Sequence, residues 1–272
     1  MSDLIHCITN PISMMQCANA VLALGAKPIM AEHPLEVYEI TETASALLIN
    51  TGNISDTRME AMKISYDAAL MGHLPIVIDA VGTACSKLRR EFVSELLEKT
   101  NNRQNQFLLL KGNYSEIKAL ADAAYRGKGV DAEESLDEND IIDASGMLSQ
   151  KYGVVVLATG AKDIITGKEG TFFVSNGHPA MSSITGTGCM LGAICATYLS
   201  RKESIDSVVK ACSFFGIAGE VAYEKLVAKK HFSEVNDGIV VGCGSFLVGL
   251  LDALSLVDLE TVRRRERIEQ LS

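Results

Sequence analysis

Apolar runs of β-branched and aliphatic residues recur along the chain: ALLIN at 46–50, PIVIDA at 75–80, FLLLKG at 107–112 and VVVLATG at 154–160. Helical windows lie between and around them, at 14–25, 55–72, 86–100, 115–124 and the acid-rich 131–153. This alternation predicts an α/β fold, a central mostly parallel sheet flanked by helices. Gly25 and Gly72 suit left-handed caps at the ends of the first two helices, and Ser55 and Asp56, or Ser115, suit the starts of later ones. Residues 164–177, IITGKEGTFFVSNG, have glycine-centred turns between short apolar runs, which predicts an antiparallel hairpin.

Each strand-like run ends in a polar or glycine-bearing turn: Asn50-Thr51-Gly52, Asp79, Lys111-Gly112-Asn113 and Thr159-Gly160. Open α/β sheets bind ligands beyond the carboxyl ends of their strands. Chemistry is therefore expected at those turns. The apolar stretch 239–257 carries only Asp252 as a charge. Gly242, Gly244 and Ser245 break its start, which predicts a helix of about a dozen residues in a globular core rather than a membrane span.

The 272 residues are 47% hydrophobic, enough for one sizeable domain spanning 1–272. A net charge of -9 argues against nucleic-acid or anionic-membrane surfaces. Seven cysteines without a CxxC pair fit neither a disulfide framework nor a zinc site, and the N-terminus lacks a signal-peptide pattern. The expectation is a cytoplasmic protein acting on a small molecule. The acidic 131–140 and the basic RRRER at 263–267 read as solvated faces.

The stretch SSITGTGCML, 182–191, carries the sharpest chemical signal. Gly186, Thr187 and Gly188 lack bulk, so their backbone N–H groups can converge on a ligand, while the helix opening near Cys189 aims its positive end at the same point. An ordinary tight turn before a buried helix is the plain alternative. Asp79 at a strand end could hold a cation or its waters, or could cap a helix. Glu116 could join it, or be a solvated acid of a first helical turn. Lys111 could neutralise a phosphate as a point charge, and Thr159-Gly160 could be a structural turn.

In chain order, HCITNPI (6–12), ANAVLALGAKPIM (18–30), LLINTGNI (47–54), DAVGTACSKLR (79–89), KGNYSEIKAL (111–120), ATG (158–160), NGHPAMSSITGTGCMLGA (176–193) and GCGSFLVGLLDAL (242–254) together resemble the hydroxyethylthiazole kinases. The resemblance implies a ribokinase-like fold without a separate lid domain, assembled as a homotrimer with active sites between subunits. It implies MgATP-dependent phosphorylation of the primary alcohol of 4-methyl-5-(2-hydroxyethyl)thiazole, a salvage step toward thiamine. Carried over by motif, Cys189 stands where most ribokinase-like enzymes have a catalytic aspartate, and Gly186 and Met30 are substrate contacts. Lys111 and Thr159 match ATP contacts, and Asp79 and Glu116 match the acidic pair near magnesium. Two rivals within the same fold are a kinase for another small alcohol, such as the hydroxymethylpyrimidine, and a nucleotide-hydrate dehydratase. The chain departs from the family in having Ala80 after Asp79 in place of proline, Lys111 in place of arginine and Cys243 in place of the proline of GPGSF. A lysine cannot reproduce a bidentate guanidinium grip.

Overall fold

The computed structural model describes residues 3–100, 106–125, 136–229, 232–235 and 238–271. The strands are β1 (Leu4–Ile8), β2 (Lys27–Ile29), β3 (Ala46–Asn50), β4 (Ile76–Asp79), β5 (Leu108–Asn113), β6 (Val155–Thr159), β7 (Asp163–Gly167), β8 (Gly170–Val174), β9 (Phe232–Val235), β10 (Gly238–Val241) and β11 (Ile268–Gln270). The helices are α1 (Met14–Ala23), α2 (Val37–Glu42), α3 (Asp56–Met71), α4 (Lys87–Thr100), α5 (Tyr114–Ala121), α6 (Glu138–Tyr152), α7 (Thr187–Arg201), α8 (Ile205–Ala228), α9 (Cys243–Leu256) and α10 (Leu259–Arg265). One sheet of nine strands runs in the order β11-β8-β7-β6-β5-β4-β3-β1-β2. From β2 to β6 every pairing is parallel, whereas β7, β8 and β11 add antiparallel strands at one edge. The expected hairpin is thus β7–β8, and it extends the main sheet.

Period-two alternation sorts the strand residues onto two faces. Ala46, Leu48, Val77, Leu109, Val155 and Leu157 pack in the core that holds α1, α7, α8 and α9. Leu47, Ile49, Ile76, Ile78, Leu108, Leu110 and Val156 pack against α3, α4, α5 and α6. Both faces are covered, which is why these strands read as continuous apolar runs. Among the described residues no second domain stands over the sheet, and no helix is long and apolar enough to cross a membrane.

Several local expectations shift. Gly25 takes the left-handed conformation at φ 75°, but Gly72 does not, at φ −83°. Helix α3 ends at Met71 with Gly72 as a C-cap of helical φ, and it is His73 that takes the positive φ of 52° while Leu74 N–H bonds back to Ala69. This is a six-to-one helix ending with histidine in the place glycine usually fills. Ser55 does cap α3, accepting from Arg58 N. Ser115 is not the cap of α5, because Asn113 takes that position in a capping box with Glu116. Residues 131–135 of the acid-rich window lie outside the described residues, and its helix starts at Glu138 with Asp137 as cap.

Two apolar or charged segments also behave differently from their composition. Helix α9 buries Phe246, Leu250, Ala253 and Leu254, but Val248 and Leu256 face outward, so only one side of it is core. The basic 263–267 stretch is not merely solvated: Arg265 pairs with Glu224, and Arg267 pairs with Glu220 at 2.6 Å. The residues that follow become β11, paired with β8. Charge patterning could not show this, because the acidic partners lie some forty residues away on α8.

Candidate active site

The carboxyl ends of β3, β4 and β5 lie in register, Asn50 opposite Asp79 and Asp79 opposite Lys111. Each continues the stripe that faces α7: Leu48 then Asn50, Val77 then Asp79, Leu109 then Lys111. The same period that buries the apolar residues therefore carries three polar side chains into the interior. All three are buried, Asn50 fully, Asp79 to 1% exposure and Lys111 to 3%.

Their contacts satisfy one another. Lys111 Nζ donates to Asp79 Oδ1 at 2.9 Å, and Asn50 Nδ2 donates to Asp79 Oδ2 at 2.7 Å. Burial pushes the Asp79 carboxyl above its ordinary range, opposed by the Lys111 ammonium and the Asn50 amide. Burial pushes Lys111 down, yet the Asp79 carboxylate outweighs it and the net shift is upward. Lys111 is thus held as a cation.

Helix α7 brings Cys189 to this row. Gly186 precedes the helix at φ 93°, a conformation that side chains resist, and a Cβ there would lie 3.0 Å from Ser13 Cβ. Gly192 lets the helix lie close on the sheet, since a Cβ there would stand 3.3 Å from Leu48 and 3.5 Å from Asp79. Glycine at the cap position supplies no side-chain acceptor. The first-turn N–H groups of α7 therefore remain available to an anion. A Cβ on Gly188 would lie 3.8 Å from Lys111 Nζ, so the ammonium sits beneath the same turn. The Thr187 hydroxyl is turned away, donating to Met181 O at 3.2 Å, which leaves Thr187 its backbone N–H as its contribution.

Cys189 is half-buried, and its Sγ accepts from Asn50 Nδ2 at 3.2 Å and Asn10 Nδ2 at 3.4 Å. Burial and the nearby Asp79 charge push its thiol up, while Ser13, Lys111 and Asn50 act in the opposite direction. All seven cysteines are free.

Glu116 is not a solvated helix acid. It is 4% exposed, with Oε1 accepting from Gly82 N at 2.6 Å and Oε2 from Asn113 N at 2.8 Å. Burial raises its carboxyl to about 7, against those two backbone bonds. Every oxygen of Asp79 and Glu116 already accepts one hydrogen bond, so the pair offers no bare set for direct coordination. Each oxygen keeps a further lone pair for a water hydrogen. That donor set fits magnesium, which retains several waters and takes phosphate oxygens.

The remaining expected residues mark the two ends of the row. Thr159 ends β6, and its hydroxyl donates to Gly112 O at 3.4 Å. Met30 follows β2 at the opposite edge, partly buried against the core. From β6 to β2 there are five strand spacings, about 24 Å at 4.8 Å each. Lys111, Asp79 and Cys189 stand between those ends. Asn50 stands in a strand-end turn where the sequence already placed chemistry, although without a role; Asn10 and Ser13 are the residues that sequence reasoning did not single out. The signal for Asn10 was present in outline, as an amide just beyond β1, the strand that proves adjacent to β3.

The fold and this motif order have known counterparts. Residues 1–260 match the model of the hydroxyethylthiazole kinase family. Hydroxyethylthiazole kinase 2 from Clostridium botulinum is 42% identical over 243 residues, covering 87% of this chain and 89% of that protein. The solved hydroxyethylthiazole kinase protein from Pyrococcus horikoshii superposes with a TM-score of 0.83 at 31% identity, covering 99% of this chain and 94% of that one. A ribokinase-like superfamily protein from Enterococcus faecalis shares the fold at a TM-score of 0.61 and 14% identity, over 93% of this chain and 86% of that one. With a family match over nearly its whole length, the chain belongs to the hydroxyethylthiazole kinase family, on a ribokinase-like fold.

Proposed function

We propose that the chain transfers the γ-phosphoryl group of MgATP to the primary alcohol of 4-methyl-5-(2-hydroxyethyl)thiazole, a salvage step toward thiamine. The observation that carries this reading is the convergence of Lys111 Nζ, the Gly186–Gly188 turn and Cys189 Sγ at the start of α7. Phosphoryl transfer depends chiefly on positioning and on stabilising charge that develops on the moving group. The turn's N–H groups supply that stabilisation from a partly exposed edge, and the buried Lys111 ammonium supplies it from beneath. Thr159 and Lys111 lie toward the nucleotide, Met30 and Gly186 toward the thiazole, and Cys189 beside the hydroxyl. Asp79 and Glu116 would hold magnesium through its waters, and the ion would supply charge neutralisation to the phosphoryl groups.

A free thiol titrates near about 8.5 and a primary alcohol is far less acidic, so the alcohol keeps its proton until late in transfer. Cys189→Asp is expected to keep or raise the rate. Cys189→Ala is expected to lower kcat by less than the roughly 100-fold that loss of a general base costs. Complete loss with binding intact would make the thiol chemically essential.

The reading extends to the whole chain as one kinase domain, working in the cytoplasm and assembled as a homotrimer. Ile12 at 63% exposure and Met15 at 67% flank Ser13, an apolar surface beside the site that a neighbouring subunit would cover. Light scattering on the purified protein should return three chains per particle. The decisive experiment is ADP formation from MgATP with and without the thiazole, with phosphorus NMR of the product. A thiazole-dependent phosphomonoester is expected. Preference for a hydroxymethylpyrimidine, or nucleotide consumption without any phosphorylated alcohol, would overturn the assignment.

A further inference from the structure

Two asparagines surround the Cys189 sulfur, and the hydrogen-bond inventory fixes which way each amide faces. Asn50 Oδ1 accepts the backbone N–H of Gly52 at 2.9 Å, and Asn10 Oδ1 accepts that of Ser13 at 3.1 Å. A backbone N–H can only donate, so both amide oxygens are committed and neither side chain can be flipped. The nitrogens must therefore face inward. Asn50 divides its two N–H groups between Asp79 Oδ2 at 2.7 Å and Cys189 Sγ at 3.2 Å. Asn10 divides its own between Asn50 Oδ1 at 3.2 Å and Cys189 Sγ at 3.4 Å. Both amides are buried, Asn50 fully and Asn10 to 6% exposure.

We propose that Asn10 and Asn50 are positioning residues for Cys189: their amide N–H groups fix the sulfur at the mouth of the anion hole and favour its thiolate over its thiol. An amide nitrogen accepts no proton, so two such donors at one sulfur match an acceptor, and charged acceptors bind donors about twice as strongly as neutral ones. Around the sulfur stand Asp79 on β4, which opposes the thiolate, Lys111 on β5, which favours it, and Cys17 and the Ser13 hydroxyl from the α1 side. Asn50 lies between the two anions, with one N–H on each. It lets Asp79 and a thiolate share a buried site without facing each other directly.

The inference deepens the kinase reading and rests on it for the meaning of kcat, but its first test needs no substrate. Iodoacetamide labelling of the full chain, read at Cys189 by peptide mass spectrometry across roughly pH 6–10, gives the pH midpoint of that thiol's reactivity. Asn10→Ala should raise the midpoint by about one unit, a roughly tenfold slower labelling below it. Asn10→Asp, which keeps the acceptor for Ser13 N–H and removes both donors, should raise it further. Asn50→Ala should do the same, and if it does not fold the two Asn10 variants carry the test. An unchanged or lowered midpoint in the Asn10 variants would overturn the proposal.

The second test is a double-mutant cycle on kcat. Asn10→Ala should cost about tenfold in the native background and less than twofold beside Cys189→Ala, because the amide acts through the sulfur. Equal losses in both backgrounds would assign Asn10 a purely structural part and overturn the proposal. Should the native protein form no thiazole phosphomonoester, the kinase reading fails while the labelling midpoints still decide the cradle.

Discussion

Asn50 and Asn176 are buried asparagines built into opposite regions of the same sheet, and they serve different ends. Asn176 follows β8 at the antiparallel edge. Its amide nitrogen donates to Glu220 Oε1 at 3.2 Å and Arg265 O at 3.0 Å, and its oxygen accepts from Ser213 Oγ at 3.0 Å and Arg267 N at 2.8 Å. All of those partners belong to α8 or the C-terminal segment, so the cluster closes on itself and fastens β11 to the body. Asn50 holds the carboxyl edge, where its partners include a buried ion pair and a half-buried sulfur. A closed polar cluster locks a fold, whereas one that ends on a half-exposed reactive atom presents chemistry.

The largest expected effect that sharpens this contrast is at Lys111. Lys111→Met leaves the Asp79 carboxylate buried without its cation, so stability in denaturant melts should fall by about 3–5 kcal/mol. Turnover should fall by about 100-fold or more, since a charge beneath the anion hole is lost. A stable, active Lys111→Met protein would show that the ion pair is dispensable to both.

Glu116 comes next, through pH. Its folded carboxyl sits at about 7, above the ordinary value of 4.5. The folded protein therefore binds the proton more tightly than the unfolded chain, and the associated stability is present below about 4.5 and lost as pH rises through 7. Between about pH 5 and pH 8 the native protein should lose roughly 2–3 kcal/mol relative to Glu116→Gln, measured as the difference between paired melts. A flat difference would mean that the Gly82 and Asn113 N–H bonds keep Glu116 ionised throughout. The same variant, and Asp79→Asn, should weaken the dependence of turnover on magnesium.

The smallest effect separates the two asparagine regions directly. Asn176→Ala strands the Arg267 N–H and the Arg265 carbonyl, costing roughly 1–3 kcal/mol. The melting temperature should drop while kcat of the folded fraction stays within about twofold. A loss of kcat out of proportion to folding would tie the C-terminal edge to the residue 176–186 segment that leads into the phosphate turn.

Much of this molecule follows from local pattern. The apolar runs at 46–50, 75–80, 107–112 and 154–160 are strands because a sheet covered on both faces needs continuous apolar sequence. The polar residues that end them mark the ligand edge, and the glycine turn before Cys189 marks the helix start that an anion can use. Tertiary structure decided what those residues touch. Asp79 and Lys111 are thirty-two positions apart, and Asn10 and Cys189 are 179 apart. Strand order and register place the first pair within a hydrogen bond, and the packing of α7 on the sheet places the second. Glu116 reads as a solvated helix acid in sequence, and becomes an acid near neutrality because the fold buries it, although Gly82 and Asn113 present their N–H groups to it and pull the other way. The C-terminal arginines likewise read as a solvated end, until α8 supplies the carboxylates that turn them into an edge strand. Periodicity is a property of neighbours along the chain and survives in the sequence. Partnership across the sheet depends on distances that folding alone creates.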